Sequence, residues 1–477
     1  MKKRNQRLIG TVITMFYIVG ILMAMHAALT TRTPTGAVAW TVSLVSMPFV
    51  SVPAYAVFGR NRFEGMIEAF EERADEIDRL LAAYRQDLAP WEVPESEAPS
   101  WHNAVYRLSD NRLVRGNAVE LLIDGDMTFD SILEGIASAE RYILFQFYMI
   151  HDDGLGRRVK DALAERARAG VKVIVLYDEV GSSGLPTAYV EDMRAAGIEV
   201  SSFRPTQGWQ NRFQLNFRNH RKMVVVDGRT AWIGGHNVGD EYLGLDPDFS
   251  PWRDTHVKID GPAALQVQLA ILSDWYWATR NIPDVDWTPV RSASDNQQVM
   301  ILPTAPTGQL ESASLFFVAA LNGAQERIWL SAPYFVPDEA VMKALQLAAL
   351  RGVDVRVITT GKPDSLPVYL AAFHYIDQLR GLGIRFYAYQ PGFLHQKVML
   401  IDDRISSVGT HNFDNRSFRL NFEVTAVIAD EKFATGMEAM FERDFVHAQP
   451  IDADALDQRP LWWQVGVKLA RLAAPVL

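Results

Sequence analysis

The sequence predicts an α/β protein of two homologous domains, each a β-sheet flanked by helices, packed about a pseudo-twofold axis and preceded by a two-helix transmembrane hairpin. Three observations predict this fold class. Two long stretches near the N-terminus carry almost no charge, strand-like and helix-like segments alternate twice along the rest of the chain, and the trio His-x-Lys-x4-Asp occurs once in each half. Strands that alternate with helices favour a sheet whose faces are covered.

The N-terminal region, residues 1–58, is predicted to cross a bilayer twice. No charged residue occurs in 8–31 or in 33–59, and Arg32 alone separates the two stretches. A helix needs about 20 apolar residues to cross a bilayer, so each stretch is long enough. A cleaved signal peptide and a buried soluble hairpin are the alternatives; the second apolar stretch argues against the signal peptide.

Basic residues predict the orientation of this hairpin. They flank it at both ends, whereas Arg32 stands alone between the two stretches: Lys2, Lys3, Arg4, Arg7, Arg60 and Arg62. An excess of Lys and Arg marks the cytoplasmic side of a membrane protein, so we expect both ends, and the catalytic part that follows, on that side. Residues 59–116 are then predicted to form a juxtamembrane helix and a linker.

Composition narrows the function of the rest of the chain. The 477 residues include no cysteine, which excludes disulfides, thiolate nucleophiles and Cys-ligated metals. The net charge is −10, and because residues 1–58 hold five basic and no acidic residues, residues 59–477 carry −15. Nucleic-acid-binding proteins usually show a basic excess, so we expect no nucleic-acid partner.

An internal repeat predicts the domain organisation. The segment AERYILFQFYM (139–149) aligns with QERIWLSAPYF (325–335), and further strand-like and helix-like segments align at similar offsets. Duplication over such a length indicates two homologous domains, which we predict at 117–292 and 293–450. The tail, 451–477, is predicted to be a membrane-interfacial helix, with a helix packed back onto the domain as the alternative.

The duplicated trio supplies the candidate catalytic residues, which are His220, Lys222, Asp227, His395, Lys397 and Asp402. Side chains two apart on a strand share a face, so each His and its Lys should point the same way. Each aspartate falls at the turn of a predicted strand–turn–strand hairpin, where it is suited to holding backbone. An Asn follows each histidine by 17 residues, and we predict that Asn237 and Asn412 bind substrate.

Packing about a pseudo-twofold axis would bring the two trios to one cavity. Ammonium and carboxamide groups can stabilise the charge that builds on a phosphodiester, and this chemistry needs neither a metal nor a cofactor. One neutral imidazole can attack phosphorus while the opposite one, protonated, donates to the leaving oxygen. An acceptor on the other ring nitrogen fixes the tautomer, and Asp254 and Glu423 are the candidates for this orienting role.

Longer segments around the trios resemble a known family. These segments, NHRKMVVVDGRTAWIGGHNVGDEY, GFLHQKVMLID and GTHNFDNRSFRLNFE, are similar to the phospholipase D superfamily and, together with the two apolar stretches, to its bacterial cardiolipin synthases. The resemblance implies that two phosphatidylglycerol molecules become cardiolipin and glycerol at the inner membrane, through a phosphatidyl-histidine. It implies His220 as the nucleophile and His395 as the acid and base, with the reverse assignment left open.

Two departures from the family pattern bear on the acceptor. Gln396 stands where the family often has a small residue and Thr410 where it often has Ser, and both could alter the choice of acceptor. The alternative functions are a membrane-bound phospholipase D that releases phosphatidic acid, a nuclease, and a non-catalytic lipid-binding scaffold. The expected partners are phosphatidylglycerol and the bilayer; the sequence makes no prediction of oligomeric state.

Overall fold

The computed structural model describes residues 2–60, 62–207, 216–452 and 458–476. Contacts within the chain divide it into two units. The first holds Met1–Glu72 and Arg204–Phe217, and the second holds Arg73–Phe203 and Arg218–Leu477. Apart from residues 204–217, both predicted α/β halves therefore belong to the second unit.

The first unit is helical in its described part. Its helices are α1 (Lys2–Thr30), α2 (Pro34–Ser46), α3 (Pro48–Phe58) and α4 (Glu64–Glu71). The helices α2 and α3 both pack against α1. The approach is close at Gly20, because a Cβ there would lie 2.6 Å from the carbonyl oxygen of Leu44.

One helix of this unit is long and apolar enough to cross a membrane. It is α1, in which Arg4–Thr30 has a mean hydropathy of 2.3; no other helix among the described residues meets the same criterion. The predicted second span, 33–59, is not confirmed, because α2 ends at Ser46 and the next residue, Met47, has φ −134° and ψ 56°. The break has a clear cause: proline lacks an N–H and drives the residue before it out of the helical region, and Pro48 follows Met47.

The second unit begins with α5 (Ala74–Leu88) and α6 (His102–Ser109). The stretch predicted as one juxtamembrane helix thus holds α4 and α5, and nothing in the sequence explains the interruption between them. The remaining helices of the unit are α7 (Asp124–Ser138), α8 (Gly154–Arg168), α9 (Thr187–Ala195), α10 (Ala264–Thr279), α11 (Ser312–Gly323), α12 (Glu339–Leu350), α13 (Leu366–Arg380), α14 (Asn415–Arg419), α15 (Glu431–Val446) and α16 (Leu461–Ala470).

The strands of the unit are short and largely buried. They are β1 (Val114–Ile123), β2 (Tyr142–Phe147), β3 (Lys172–Asp178), β4 (Glu199–Phe203), β5 (Arg218–Asn219), β6 (Met223–Val226), β7 (Thr230–Gly234), β8 (Trp252–Arg253), β9 (Thr255–Asp260), β10 (Gln297–Thr304), β11 (Arg327–Ser331), β12 (Phe335–Val336), β13 (Asp354–Thr360), β14 (Arg385–Tyr389), β15 (Phe393–Leu394), β16 (Val398–Ile401), β17 (Ile405–Gly409), β18 (Phe413–Asp414), β19 (Asn421–Ala429) and β20 (Ala448–Pro450).

The two halves share one strand order, which confirms the predicted duplication. The first half runs β1-β9-β7-β6-β2-β3-β4 and the second runs β10-β19-β17-β16-β11-β13-β14. The halves join through the antiparallel pair β1 and β10, so the two predicted sheets form one continuous sheet. This pair marks the pseudo-twofold axis that relates the halves.

Each half combines a parallel edge with an antiparallel hairpin near the axis. The strands β2, β3 and β4 are parallel and are connected by α8 and α9, whereas β6 and β7 form the predicted hairpin. Its turn holds Asp227 and Gly228 with φ of 53° and 68°, the positive values that an Asp-Gly turn accepts readily. The helix α7 lies close to the sheet, because a Cβ on its Gly135 would be 2.2 Å from the ring of Trp232 in β7.

Candidate active site

Each histidine of the trios follows a two-residue strand that pairs across the halves. The strand β5 pairs in parallel with β19 of the second half, and β15 pairs in parallel with β8 of the first half. The backbone N–H of His220 donates to the carbonyl of Phe422 at 2.9 Å, and that of His395 donates to the carbonyl of Arg253 at 2.8 Å. These registers set His220 beside Glu423 and His395 beside Asp254.

Both imidazoles contact a buried carboxylate through Nδ1. The distance is 2.9 Å from His220 to Oε2 of Glu423 and 2.7 Å from His395 to Oδ2 of Asp254. Each pair joins one residue from either half, so neither half contains a complete site. Since Nδ1 is engaged in both rings, Nε2 is the nitrogen left for substrate.

The two carboxylates are fully buried and ionised. Glu423 also accepts hydrogen bonds from Ser417 Oγ at 2.8 Å and from Asn421 Nδ2 at 3.0 Å. Burial alone would raise the pKa of Glu423, but His220 and the cations nearby outweigh it and lower that pKa to about 2. The pKa of Asp254 also lies well below its ordinary value, because the nearby histidines and Lys397 outweigh its desolvation.

Close packing of two strands brings Asp254 to its histidine. A Cβ on Gly235 would lie 2.0 Å from Oδ1 of Asp254, so a glycine is required there. The backbone N–H of Thr255 donates to the same Oδ1 at 2.8 Å and holds the carboxylate in place. Gly235 thus admits the orienting carboxylate.

The lysine of each trio hydrogen-bonds to the backbone of the histidine in the same trio. Nζ of Lys222 donates to the carbonyl of His220 at 2.7 Å, and Nζ of Lys397 donates to the carbonyl of His395. Burial lowers the pKa of Lys397 to about 8 and that of Lys222 well below its ordinary value. Each lysine therefore holds the backbone of its own histidine.

The aspartates of the trios lie at the far end of the hairpin strands, away from the imidazoles. The carboxylate of Asp227 accepts the backbone N–H groups of Glu140, Arg141 and Tyr142, each at 2.8 Å. Asp402 accepts the corresponding N–H groups ahead of β11 in the second half. Both residues thus tie down the start of a parallel strand, and neither contacts an imidazole.

The two imidazoles line one cavity of about 380 Å³ in the second unit. Asn237 and Asn412 line it as well. Nδ2 of Asn237 donates to the Tyr242 hydroxyl at 2.7 Å, and its Oδ1 accepts the backbone N–H of Met149 at 3.2 Å. The structure therefore brings together both histidines and both asparagines that the sequence singles out.

The two ends of this cavity differ in chemistry. Around His395 the wall is aromatic, with ring centroids of Trp252 and Phe393 at 5.2 Å and 5.9 Å from the imidazole. At the His220 end the lining includes Arg218 and Arg416. Sequence reasoning missed both arginines, although each lies within a few residues of a motif, and they add positive charge where a phosphate would bind.

Burial keeps both imidazoles neutral near pH 7. Desolvation lowers the pKa of His220 to about 4, with Glu423 opposing the shift, and the pKa of His395 to about 3. For His395 the charge of Lys397 adds to desolvation, and Asp254 opposes it. A neutral imidazole with a fixed tautomer is the form that can act as a nucleophile.

A second layer of buried ion pairs supports the site, and sequence reasoning missed it as well. Arg221, between the two motif residues, binds Asp274 at 2.8 Å, and Arg253 binds Asp444 at 2.8 Å. Gln396 donates to the same Asp444 at 2.8 Å. Gln396 thus belongs to this layer, which gives its departure from the family pattern a packing role.

Comparisons with known proteins agree with this architecture. The family described as "Cardiolipin synthase, PLD-like domain" matches residues 132–262 and 317–445, together more than half of the chain. The chain is 44% identical to cardiolipin synthase A of Pseudomonas fluorescens over 98% of both chains. It is also 44% identical to cardiolipin synthase A of Pseudomonas aeruginosa, over 98% of this chain and 96% of that one.

A solved structure shares the fold. Phosphatidylserine synthase of Haemophilus influenzae aligns with a TM-score of 0.56 at 14% identity, covering 79% of this chain and 99% of that one. The fold and the duplicated histidine site define a protein of two phospholipase D-like domains. The chain belongs to the cardiolipin synthase family of such proteins.

Proposed function

We propose that this chain is a cardiolipin synthase that transfers the phosphatidyl group of one phosphatidylglycerol to another and releases glycerol. One observation carries the mechanism: His220 and His395 line a single cavity, and each is held at Nδ1 by a buried carboxylate from the opposite half. The name shared by relatives that match nearly the whole chain supports the substrate class.

In the first step, Nε2 of His220 attacks the phosphorus of the donor lipid. The bond from phosphorus to the glycerol oxygen breaks, and His395, as imidazolium, gives its proton to that oxygen. Glu423 stabilises the positive charge that develops on His220 as the P–N bond forms. The products are glycerol, a neutral His395 and a phosphatidyl group on His220.

In the second step, the hydroxyl of a second phosphatidylglycerol attacks the same phosphorus. Its proton passes to Nε2 of His395, the P–N bond breaks, and His220 leaves as a neutral imidazole. Both histidines return to their starting protonation states, so no further acid or base is needed. The assignment of His220 as the nucleophile follows the family resemblance, and the reverse assignment stays open.

The negative charge of the bound donor lets His395 take up from solvent the proton that the first step needs. A phosphodiester anion ~4 Å from an imidazolium, at an effective dielectric constant of ~20, stabilises it by ~4 kcal/mol, or ~3 pKa units. The pKa of His395 would then rise from about 3 toward neutrality as the lipid binds. We therefore propose that donor binding itself charges His395.

The other residues that line the active-site cavity would bind the phosphate or exclude water. The nonbridging oxygens of the phosphate would face Arg218 and Arg416, whose side chains line the His220 end of the cavity. Asn237 and Asn412 can bind the same oxygens through their amides. The aromatic wall at His395 limits access of water, which favours transfer over hydrolysis.

The helix α1 would anchor the enzyme beside its substrates. We place it in the bacterial inner membrane with the catalytic part on the cytoplasmic side. This rests on the apolar stretch Arg4–Thr30, on α2 and α3, which pack back against α1, and on the basic residues at the start of α1 and after α3. A lipid with two acyl chains stays in the bilayer, so an anchored enzyme meets it by lateral diffusion.

The test uses purified protein in vesicles of labelled phosphatidylglycerol. We expect cardiolipin and glycerol in equal amounts, and loss of both in His220→Ala and His395→Ala variants that keep wild-type melting curves. Phosphatidic acid as the main product would instead identify a phospholipase D, in which water is the acceptor. Unchanged cardiolipin formation in His220→Ala would contradict the mechanism.

A further inference from the structure

A second cavity adjoins the active-site cavity. It measures about 500 Å³, and its lining comes from the second half and the start of the tail, between Pro333 and Arg459. Tyr334 and Asp364 line both cavities, and the Tyr334 hydroxyl donates to the Asp364 carboxylate. We propose that this acceptor cavity holds the second phosphatidylglycerol, whose hydroxyl takes the phosphatidyl group; the inference rests on the proposed function.

The walls of the acceptor cavity suit a lipid. The helix α13 forms an apolar wall with the side chains of Val368, Tyr369, Ala372, Phe373 and Ile376. The ends of β13 and β14 contribute polar side chains, among them Thr360 and Gln390. Acyl chain segments can lie against the helix while the glycerol hydroxyls bind the polar groups.

An apolar surface lies next to this cavity. The helix α16 packs on α13, with the Trp463 ring centroid 6.0 Å from that of Phe373 and 6.3 Å from that of Tyr369. Its other face leaves large apolar side chains exposed, Trp462 by 70% and Leu469 by 61%. The tail is thus a helix packed onto the domain that still presents an apolar face.

Basic residues near this face help it to fit an anionic lipid surface. Arg459, Lys468 and Arg471 lie within or beside the same helix, and Arg459 also lines the acceptor cavity. Exposed tryptophan and leucine together with basic residues are typical of helices that lie in the interface of an anionic bilayer. A lipid in that leaflet could reach the cavity without exposing its acyl chains to water.

The position of the cavity favours the acceptor over the donor. The donor phosphate must lie between both imidazoles, whereas the acceptor hydroxyl must deliver its proton to His395. The loop beside Asp364 approaches the aromatic wall near that histidine: Nζ of Lys362 lies 5.9 Å from the ring centre of Phe249, which is 5.4 Å from that of Phe393. A hydroxyl that passes Tyr334 and Asp364 therefore arrives on the His395 side, attacks phosphorus, gives its proton to His395 and displaces His220.

The test exploits the absence of cysteine from the chain. A Val368→Cys variant carries a single thiol on the apolar wall of the acceptor cavity, and folded protein is treated with a small methyl or a bulky benzyl methanethiosulfonate. The matched control is Ala137→Cys on an exposed position of α7. Cardiolipin, phosphatidic acid and glycerol are measured from phosphatidylglycerol vesicles before treatment, after it, and after the adduct is removed by reducing agent.

We expect the bulky adduct on residue 368 to lower cardiolipin formation by about tenfold or more, because an occluded site rejects its ligand. Glycerol release should fall less, the share of phosphatidic acid should rise, and reduction should restore the original product ratio. An unchanged product ratio would overturn the proposal, and so would an equal loss of glycerol release and cardiolipin.

The control separates this failure from failure of the proposed function. The Ala137→Cys protein should keep its product ratio after the same treatment. If the wild-type protein formed no cardiolipin, both proposals would lose their basis. If the wild-type protein formed cardiolipin and the adduct on residue 368 had no effect, only the acceptor-cavity proposal would be overturned.

Discussion

Replacing Asp254 by Asn tests how the second histidine works. The substitution keeps the size of the side chain and removes the negative charge that faces Nδ1 of His395. This charge stabilises the imidazolium that protonates the leaving glycerol, and Asn in its place can still accept a hydrogen bond from Nδ1. The consequence should therefore depend on whether the leaving group needs a proton.

The structure allows the size of the effect to be worked out. Oδ2 of Asp254 lies 2.7 Å from Nδ1, and the carboxylate is fully buried. With the charge centres ~4 Å apart and an effective dielectric constant of ~20, the pair is worth ~4 kcal/mol, or ~3 pKa units. We expect glycerol release from phosphatidylglycerol to fall by ~10²–10⁴-fold, the range that a general acid contributes.

The assay compares two donor lipids. One is phosphatidylglycerol; the other is phosphatidyl-p-nitrophenol, whose leaving group departs without protonation. For Asp254→Asn, release of nitrophenolate in the first turnover should stay within about tenfold of wild type, because that step then needs no general acid. The Glu423→Gln variant should lose activity with both donors, since Glu423 supports the nucleophile.

Equal losses with both donors in Asp254→Asn would refute this reasoning. A reversed pattern, with rescue in Glu423→Gln, would assign the nucleophile to His395. The control is Asp444→Asn, which removes another buried carboxylate that binds Arg253 and contacts no imidazole. Any loss in that variant should be the same for both donors.

Three further predictions concern stability and binding. The pKa values of His220 and His395, about 4 and 3, lie below the ordinary 6.5. Below pH 6.5 the unfolded chain therefore binds more protons than the folded protein does. The free energy of unfolding should fall on acidification by ~1.4 kcal/mol per group and pH unit. Equal urea midpoints at pH 7.5 and 5.5 would contradict this. Asp227→Asn should lower the unfolding free energy by ~1–3 kcal/mol while turnover per folded molecule changes little; a large loss of turnover in fully folded protein would contradict a backbone-holding role. Arg416→Gln should raise the half-saturating phosphatidylglycerol concentration by ~10-fold or more, because it removes a charged donor to phosphate; unchanged saturation curves would place the phosphate elsewhere.

Local patterns in the sequence predict much of the fold. The repeated strands and helices, the Asp-Gly hairpin turn and the apolar α1 all follow from periodicity and composition. The single continuous sheet does not, because it depends on the pairing of β1 with β10, strands whose paired residues are about 180 positions apart. The broken second apolar stretch was readable, since Pro48 lies in its middle.

The sequence predicts the residues of the site but not how they pair. The duplicated motif predicts the histidines, and their need for an acceptor singles out Asp254 and Glu423. Which carboxylate serves which histidine depends on β5 and β15, strands of two residues that pair with the opposite half and leave no periodic signal. The packing role of Gln396 cannot be predicted from the sequence either, because its partner Asp444 lies 48 residues further along the chain.

The mechanism requires a covalent bond between phosphorus and Nε2 of His220, and trapping this intermediate is its sharpest test. Wild-type and His395→Ala proteins are mixed with labelled phosphatidylglycerol, quenched in alkali, digested and analysed by mass spectrometry. We expect a phosphatidyl group on the peptide that holds His220. A label on the peptide that holds His395, or no labelled peptide in a wild-type protein that is making cardiolipin, would contradict it.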